Sequence, residues 1–162
     1  MTLKDPSTAT LQRQTARAQT RIADHVARAG LNRSRTREAV IDTFLATPGH
    51  VSVEELTTLV RERAPGIGQT TVYRALKLLV DCGVAASREF GGGQTRYERV
   101  VEGAHHDHLV CLDCGAILEF EDEEIEALQE AVARRHGFEV AHHRLELYGR
   151  CRACAAAEDR RR

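Results

Sequence analysis

The chain has 162 residues, of which 42% are hydrophobic and 29% charged, enough for one large domain or two small ones. Its first eleven residues are polar and no later run approaches the ~18 apolar residues of a membrane span, which favours a cytoplasmic protein with no membrane partner. Residues 1–100 carry 15 Lys and Arg against 10 Asp and Glu, whereas residues 101–162 carry 8 against 14. A basic first part suits a polyanion and an acidic, His- and Cys-rich second part suits a cation, although ordinary scatter of surface charge gives imbalances of this size.

Helix signals predict three helices before residue 65. A polar, helix-compatible stretch over residues 11–29 ends at Gly30. Ser34 is placed to cap a second helix, and Ser52 with Glu55 has the spacing of a capping box at the start of a third. The apolar stripes of the second and third helices are Val40, Ile41, Phe44 and Leu45, and Leu56, Leu59 and Val60.

The fourth predicted helix, over residues 69–82, has two distinct faces and ends before Gly83. Two predicted strands, 84–90 and 94–100, follow it around three glycines, so the segment has the pattern of a winged helix whose last helix enters the DNA major groove. A merely solvated helix with a structural hairpin is the alternative. The polar face comprises Gln69, Thr70, Tyr73, Arg74 and Lys77, the apolar face Val72, Ala75, Leu76, Leu79 and Val80, and the hairpin carries Arg88, Arg96 and Arg99.

Four of the five cysteines form two C-x-x-C pairs, Cys111 with Cys114 and Cys151 with Cys154. In a chain without an export signal this spacing predicts metal-binding thiolates, and zinc is the expected ion because it favours a tetrahedral sulfur site. A redox switch made from the same pairs is the less favoured interpretation. Cys82 lies in an apolar helical pattern and is expected to be a buried, inert thiol.

The second half of the chain predicts an α+β unit with strands over 105–111, 116–120 and 138–148, and a helix capped by Asp122 and ended by Gly137. In an extended strand His105 and Asp107 share one face, and His106 and His108 share the other. The alternation of faces along the last predicted strand lets His143 point toward the predicted helix, where Glu126 is available. Two mixed His and carboxylate sites are therefore expected, suited to Zn, Fe, Mn, Co or Ni.

Three segments together resemble the ferric uptake regulator family: His-His-Asp-His-Leu-Val-Cys-Leu-Asp-Cys-Gly over 105–115, Thr-Thr-Val-Tyr-Arg-Ala-Leu over 70–76, and Leu-Tyr-Gly over 147–149. The resemblance runs from about residue 29 to residue 154. It implies an extension over 1–28, a winged-helix DNA-binding domain over 29–100, a hinge over 101–104 and a metal-binding α/β dimerisation domain over 105–162. It also implies a cytoplasmic homodimer that binds an inverted-repeat DNA operator and represses metal-uptake and metal-homeostasis genes.

The resemblance also assigns site residues to positions of this sequence. The structural zinc falls on Cys111, Cys114, Cys151 and Cys154; the sensing site on His50, Glu98, His108 and Glu119; and a further site on His105, Asp107, Glu126 and His143. The family's DNA-contacting pair falls on Tyr73 and Arg74, and Arg33 corresponds to a basic minor-groove contact. Thr70 and Lys77, on the same polar face of the helix, are the further DNA contacts that the helix pattern predicts. The chain departs from the family in its basic 32–37 segment and in its N-terminal extension.

Glu98 and Glu119 bear on the metal that is sensed, because the peroxide-sensing branch of the family favours aspartate at both positions. The two glutamates favour Fe²⁺ as the regulatory ion beside the structural Zn²⁺, with zinc, manganese, nickel or peroxide sensing as alternatives. A zinc-dependent hydrolase is a different class of function, but the sequence lacks H-E-x-x-H and the enzyme hypothesis leaves the polar helix face unexplained. A passive metal store would bind metal without a DNA response. The sequence thus predicts a repressor with no catalytic residues and no small-molecule substrate.

Overall fold

The computed structural model describes residues 8–90, 94–101 and 106–159. The described residues fall into two compact units, 8–101 and 106–159, which are called here the N-terminal and C-terminal units. In the described part of the chain, none of the helices has the length and apolarity that crossing a bilayer requires.

The N-terminal unit consists of four helices followed by an antiparallel hairpin. The elements are α1 Thr8–Arg28, α2 Arg35–Ala46, α3 Val53–Arg63, α4 Gln69–Asp81, β1 Ala85–Phe90 and β2 Gln94–Arg99. The predicted caps are confirmed: the Ser34 hydroxyl accepts the Arg37 N–H at 3.3 Å, and Ser52 and Glu55 form a reciprocal capping box. Gly83 follows α4 with φ of 66°, a left-handed conformation that ends a helix at low cost only in glycine. The glycines joining the two strands lie outside the described residues.

One apolar cluster holds this unit together and fixes the direction of α4. Val72, Ala75, Leu76 and Leu79 are buried as predicted, whereas Val80 is only partly buried and Leu78 is buried in addition. Because these side chains face the cluster, the opposite face of α4 is left to solvent. Other members come from every helix and from the hairpin: Ile22, Val40, Ile41, Phe44, Leu45, Val51, Leu56, Val60, Ile67, Val84, Ala85 and Tyr97.

The C-terminal unit is a three-stranded sheet with two helices. Its elements are β3 Asp107–Cys111, β4 Ile117–Phe120, α5 Glu123–Arg135, β5 Glu146–Gly149 and α6 Arg152–Asp159. The sheet order is β4-β3-β5, with β3 antiparallel to β4 and parallel to β5. Asp122 caps α5 through the N–H groups of Glu124 and Ile125. The helical first unit and the sheet-containing second unit confirm the predicted α+β class.

The structure of this unit differs from the sequence-based expectation in two places. The last strand was predicted over 138–148 but covers only Glu146–Gly149, because only these four residues pair with β3. The helix α6 was not predicted, although its Ala-rich sequence favours a helix.

Candidate metal centres and nucleic-acid interface

The four cysteines of the two C-x-x-C pairs converge at one end of the C-terminal sheet. Cys111 ends β3, Cys114 lies in the turn before β4, Cys151 follows β5 and Cys154 lies on α6. The Sγ atoms of Cys111 and Cys154 are 3.8 Å apart, those of Cys114 and Cys151 are 3.9 Å apart, and all four lie within 4.8 Å of one another. A regular tetrahedron with Zn–S bonds of about 2.3 Å has edges of ~3.8 Å, so the four sulfurs fit a zinc ion.

The protonation of these thiols supports a cation-binding site. The backbone N–H of Cys151 donates to Cys111 Sγ at 3.3 Å and lowers the pKa of that thiol to about 6. Hydrogen bonding with the neighbouring Cys151 and Cys114 favours the thiol form of Cys154 and raises its pKa. Four adjacent thiols cannot all ionise unless a cation is present, and a bound zinc supplies that charge. Beside the cluster, Arg150 and Asp113 form an ion pair of 2.8 Å that links the two C-x-x-C segments.

A second cluster lies on one face of β3, where Asp107, Glu126 and His143 offer ligand atoms within 4.8 Å of one another. His143 Nε2 lies 3.1 Å from Glu126 Oε1, and the Asp107 side chain is buried. The mixture of imidazole and carboxylate suits a divalent transition metal. His105, the fourth residue assigned to this site by the resemblance, lies outside the described residues.

A third group lies on the other face of β3. His108 is paired in register with Glu119 on β4, and with His106 they offer ligand atoms within 4.8 Å of one another. The His106 and His108 rings make an edge contact with centroids 5.0 Å apart, and His106 Nε2 lies 4.0 Å from Glu119 Oε1. His106 was absent from the predicted ligands, although the alternation of strand faces had placed it beside His108.

In the N-terminal unit, His50 and Glu98 form a buried pair with His50 Nε2 at 2.9 Å from Glu98 Oε2. His50 precedes α3 and packs edge-on against Phe90, with ring centroids 5.2 Å apart; Glu98 lies on β2. The second oxygen of Glu98, Oε1, accepts a hydrogen bond from Arg88 Nε on the neighbouring strand. The predicted sensing residues are thus grouped as one pair in the N-terminal unit and a second group in the C-terminal unit.

The exposed face of α4 carries the predicted DNA-contacting side chains. Thr70, Tyr73, Arg74 and Lys77 are all exposed and follow the i, i+3, i+4, i+7 spacing of one helix face. Tyr73 retains 50% of its accessible surface, which excludes it from the apolar core. Gly68, the residue before α4, provides no side-chain cap, and Gln69 Nε2 in the first turn donates to Glu54 Oε1 on α3 at 2.7 Å.

Arg33 precedes α2 and is highly exposed, with a hydrogen bond of 2.9 Å from its Nε to Glu38 Oε1. A minor-groove contact would require this exposed pair to separate, which costs little because exposed ion pairs contribute only about 0–1 kcal/mol.

Residues 28–148 match the model of the Ferric uptake regulator family. The chain is 42% identical over 110 residues to the ferric uptake regulation protein of Yersinia pestis, covering 68% of this chain and 74% of that protein. The structure is similar to that of the Vibrio cholerae ferric uptake regulator, with a TM-score of 0.67 and 37% sequence identity; the match covers 78% of this chain and 96% of that one. It is also similar to the structure of the Helicobacter pylori ferric uptake regulator, which is described as having three functional metal binding sites. That match has a TM-score of 0.78 and 29% sequence identity, and it covers 94% of this chain and 97% of that one. A third similar structure is that of a zinc-bound manganese uptake regulator, with a TM-score of 0.68 and 40% sequence identity to this chain; the match covers 80% of this chain and 98% of that one.

Proposed function

Because the chain belongs to the ferric uptake regulator family, it is a metal-responsive DNA-binding transcriptional repressor rather than an enzyme, and we propose that the ion it senses is Fe²⁺. Members of this family are dimeric DNA-binding regulators. The observation that carries the iron assignment is the pair of glutamates among the sensing residues, Glu98 and Glu119, at positions where the peroxide-sensing branch of the family favours aspartate. Nitrogen and oxygen ligands suit Fe²⁺ and Mn²⁺, and the relatives named above include ferric and manganese uptake regulators.

We propose separate tasks for the three clusters. The four-cysteine cluster is the structural zinc site, which stabilises the C-terminal unit and does not take part in the response. The sensing site consists of His50 and Glu98 from one unit with His108 and Glu119 from the other. The group Asp107, Glu126 and His143, with His105, is an additional regulatory site. The structure supports adding His106 to the sensing ligands, since it lies beside His108 and Glu119.

The proposed response depends on the fact that the sensing ligands come from both units. Ligation by His50 and Glu98 together with His108 and Glu119 would restrain the hinge at residues 101–104 and thereby the separation of the two winged helices in a dimer. The dimer could then match successive major grooves of an inverted-repeat operator. The coupling free energy is the difference in metal affinity between restrained and unrestrained arrangements, typically ~1–3 kcal/mol.

Exposed apolar side chains of the C-terminal unit support homodimerisation through this half of the chain. Leu128 and Val132 on α5 retain 66% and 45% of their surface, and Phe138 after α5 retains 71%. Large apolar side chains clustered on one unit mark a protein interface. With the exposed α4 face, this supports a homodimer that presents one winged helix to each half of the operator, and such a repressor would act in the cytoplasm.

The test is metal-stimulated operator binding by His108→Ala and Glu119→Ala variants, measured by fluorescence anisotropy across Fe²⁺, Mn²⁺, Zn²⁺, Co²⁺ and Ni²⁺ at matched free concentrations. We expect both variants to lose the metal response while they retain zinc and the dimeric state. His142→Ala is the matched control, because this exposed histidine of the same unit belongs to none of the clusters. Full stimulation of both variants would refute the sensing site. Stronger stimulation of the parent protein by Zn²⁺ or Mn²⁺ than by Fe²⁺ would refute the iron assignment.

A further inference from the structure

We propose that Arg88 sets the divalent-metal affinity of the sensing site by acting as a fixed counter-ion of Glu98; the inference rests on the proposed role of Glu98 as a sensing ligand. Both carboxylate oxygens of Glu98 are engaged, Oε2 with His50 at 2.9 Å and Oε1 with Arg88. The Glu98 side chain is 6% exposed and that of Arg88 is 29% exposed, so the contact is largely shielded from water.

The pairing of the two hairpin strands explains why Arg88 reaches Glu98. Arg88 lies directly opposite Arg96, and Glu98 lies two residues further along on the same strand face, within reach of a long side chain. Two arginines facing each other repel unless each has an acidic partner. Arg96 donates to both oxygens of Glu55, at 2.9 and 2.7 Å. Glu55 also accepts the Ser52 N–H in the α3 capping box, and Arg88 pairs with Glu98 instead.

In this arrangement the positive charge of Arg88 offsets the negative charge of the Glu98 carboxylate before any ion binds. Arginine does not lose its proton at physiological pH, so its charge remains beside Glu98 when a cation is bound. The guanidinium repels a dication at the same carboxylate, and partial burial leaves this repulsion poorly screened by salt. The consequence is a weakened site, which responds at a higher free metal concentration than the same ligands would without Arg88.

A residue that hydrogen-bonds to a metal ligand can also strengthen metal binding, because the hydrogen bond orients the ligand. This orienting effect typically raises metal affinity by about 10–100-fold. The two roles predict opposite signs. If Arg88 mainly orients Glu98, its removal weakens metal binding; if it mainly opposes the ion's charge, its removal tightens metal binding. We infer that the charge dominates, because His50 contacts the same carboxylate and the strand pairing already restricts Glu98.

The experiment uses the full-length zinc-loaded protein in a His143→Ala background, so that the Asp107 and Glu126 cluster contributes less. Mn²⁺ and Co²⁺ affinities are measured by competition with a chelator, and thermal melting verifies that each variant is folded. We expect Arg88→Met to bind both ions at least about tenfold more tightly. Arg88→Lys, which keeps the charge, should stay within a few-fold of the parent. Arg96→Met is the matched control, because it removes the facing arginine but leaves the Glu98 contacts intact.

Unchanged or weaker metal binding by Arg88→Met would overturn the inference, as would equal tightening by Arg96→Met. Glu98→Gln separates this failure from a failure of the proposed function. If Glu98→Gln loses metal binding while Arg88→Met fails to gain affinity, the sensing site stands and only the role of Arg88 is wrong. If Glu98→Gln binds Mn²⁺ and Co²⁺ as the parent does, both the sensing site and the inference fall.

Discussion

Removing the zinc should unfold the C-terminal unit and leave the N-terminal unit intact. Among residues 106–157, for which burial is described, only Asp107, His108, Val110 and Cys111 are buried, and α5 buries no side chain fully. The N-terminal unit, by contrast, has a continuous apolar cluster drawn from all its helices. Zinc ligation by four cysteines contributes on the order of 10–16 kcal/mol to the folding of small metal domains, as much as the total stability of many proteins.

The perturbations are an excess of chelator and Cys114→Ser, followed by calorimetry and limited trypsin digestion. A loss of only ~3 kcal/mol would lower the melting temperature of so small a unit by roughly 12–24 °C, so a separate early transition is expected. Trypsin should then cut at Arg134, Arg135 and Arg144 before it cuts the N-terminal unit. Cys82→Ser is the control, because this half-buried thiol lies in the other unit. A single transition that does not respond to chelator, or equal destabilisation by Cys82→Ser, would refute the reasoning.

Three further outcomes are expected. Arg74→Ala should weaken operator binding by about 1–3 kcal/mol in fluorescence anisotropy, and Tyr73→Phe should weaken it as well. The melting temperatures of both variants should be unchanged, because both side chains are exposed. Full operator affinity in both variants would show that DNA recognition does not use this face of α4. Leu128→Asp should shift the dimer toward monomer in analytical ultracentrifugation. Leu31→Asp, at an exposed apolar position of the N-terminal unit, should not. A stable Leu128→Asp dimer would exclude this surface of α5 from the dimer interface. Burial raises the pKa of the Cys82 thiol. Alkylation of Cys82 in the native protein should therefore be slower than that of a free thiol at pH 7–8 and should accelerate as the pH rises. Alkylation at the free-thiol rate at pH 7.5 would contradict this expectation.

Local signals predicted most of the fold because they act within a few residues. Ser34, Ser52 and Asp122 cap the helices that they were expected to cap, and the alternation of β3 separated Asp107 from His106 and His108. These features depend only on backbone geometry near each residue, which the sequence specifies directly.

Features that depend on distant partners were harder to predict. The extent of β5 depends on which residues pair with β3, and periodicity alone does not show where that pairing stops. The contact between Arg88 and Glu98 depends on the hairpin register, which places Ala86 opposite Glu98. The family resemblance supplied the assignment of ligands to sites, because spacing alone cannot bring His50 and Glu98 together across 48 positions of the chain.

The five residues of β3 restrict how the metal preference of this protein can evolve. Asp107 belongs to one of the candidate metal clusters, His108 to another and Cys111 to a third, so this strand contributes to every candidate cluster described in the C-terminal unit. A deletion or insertion of one residue would exchange the two faces and disturb all three clusters at once. Changes that retune a single cluster are therefore confined to the elements around β3, such as β4 at Glu119 and α5 at Glu126. Related sensors for different metals are expected to diverge at those surrounding positions while β3 keeps its length.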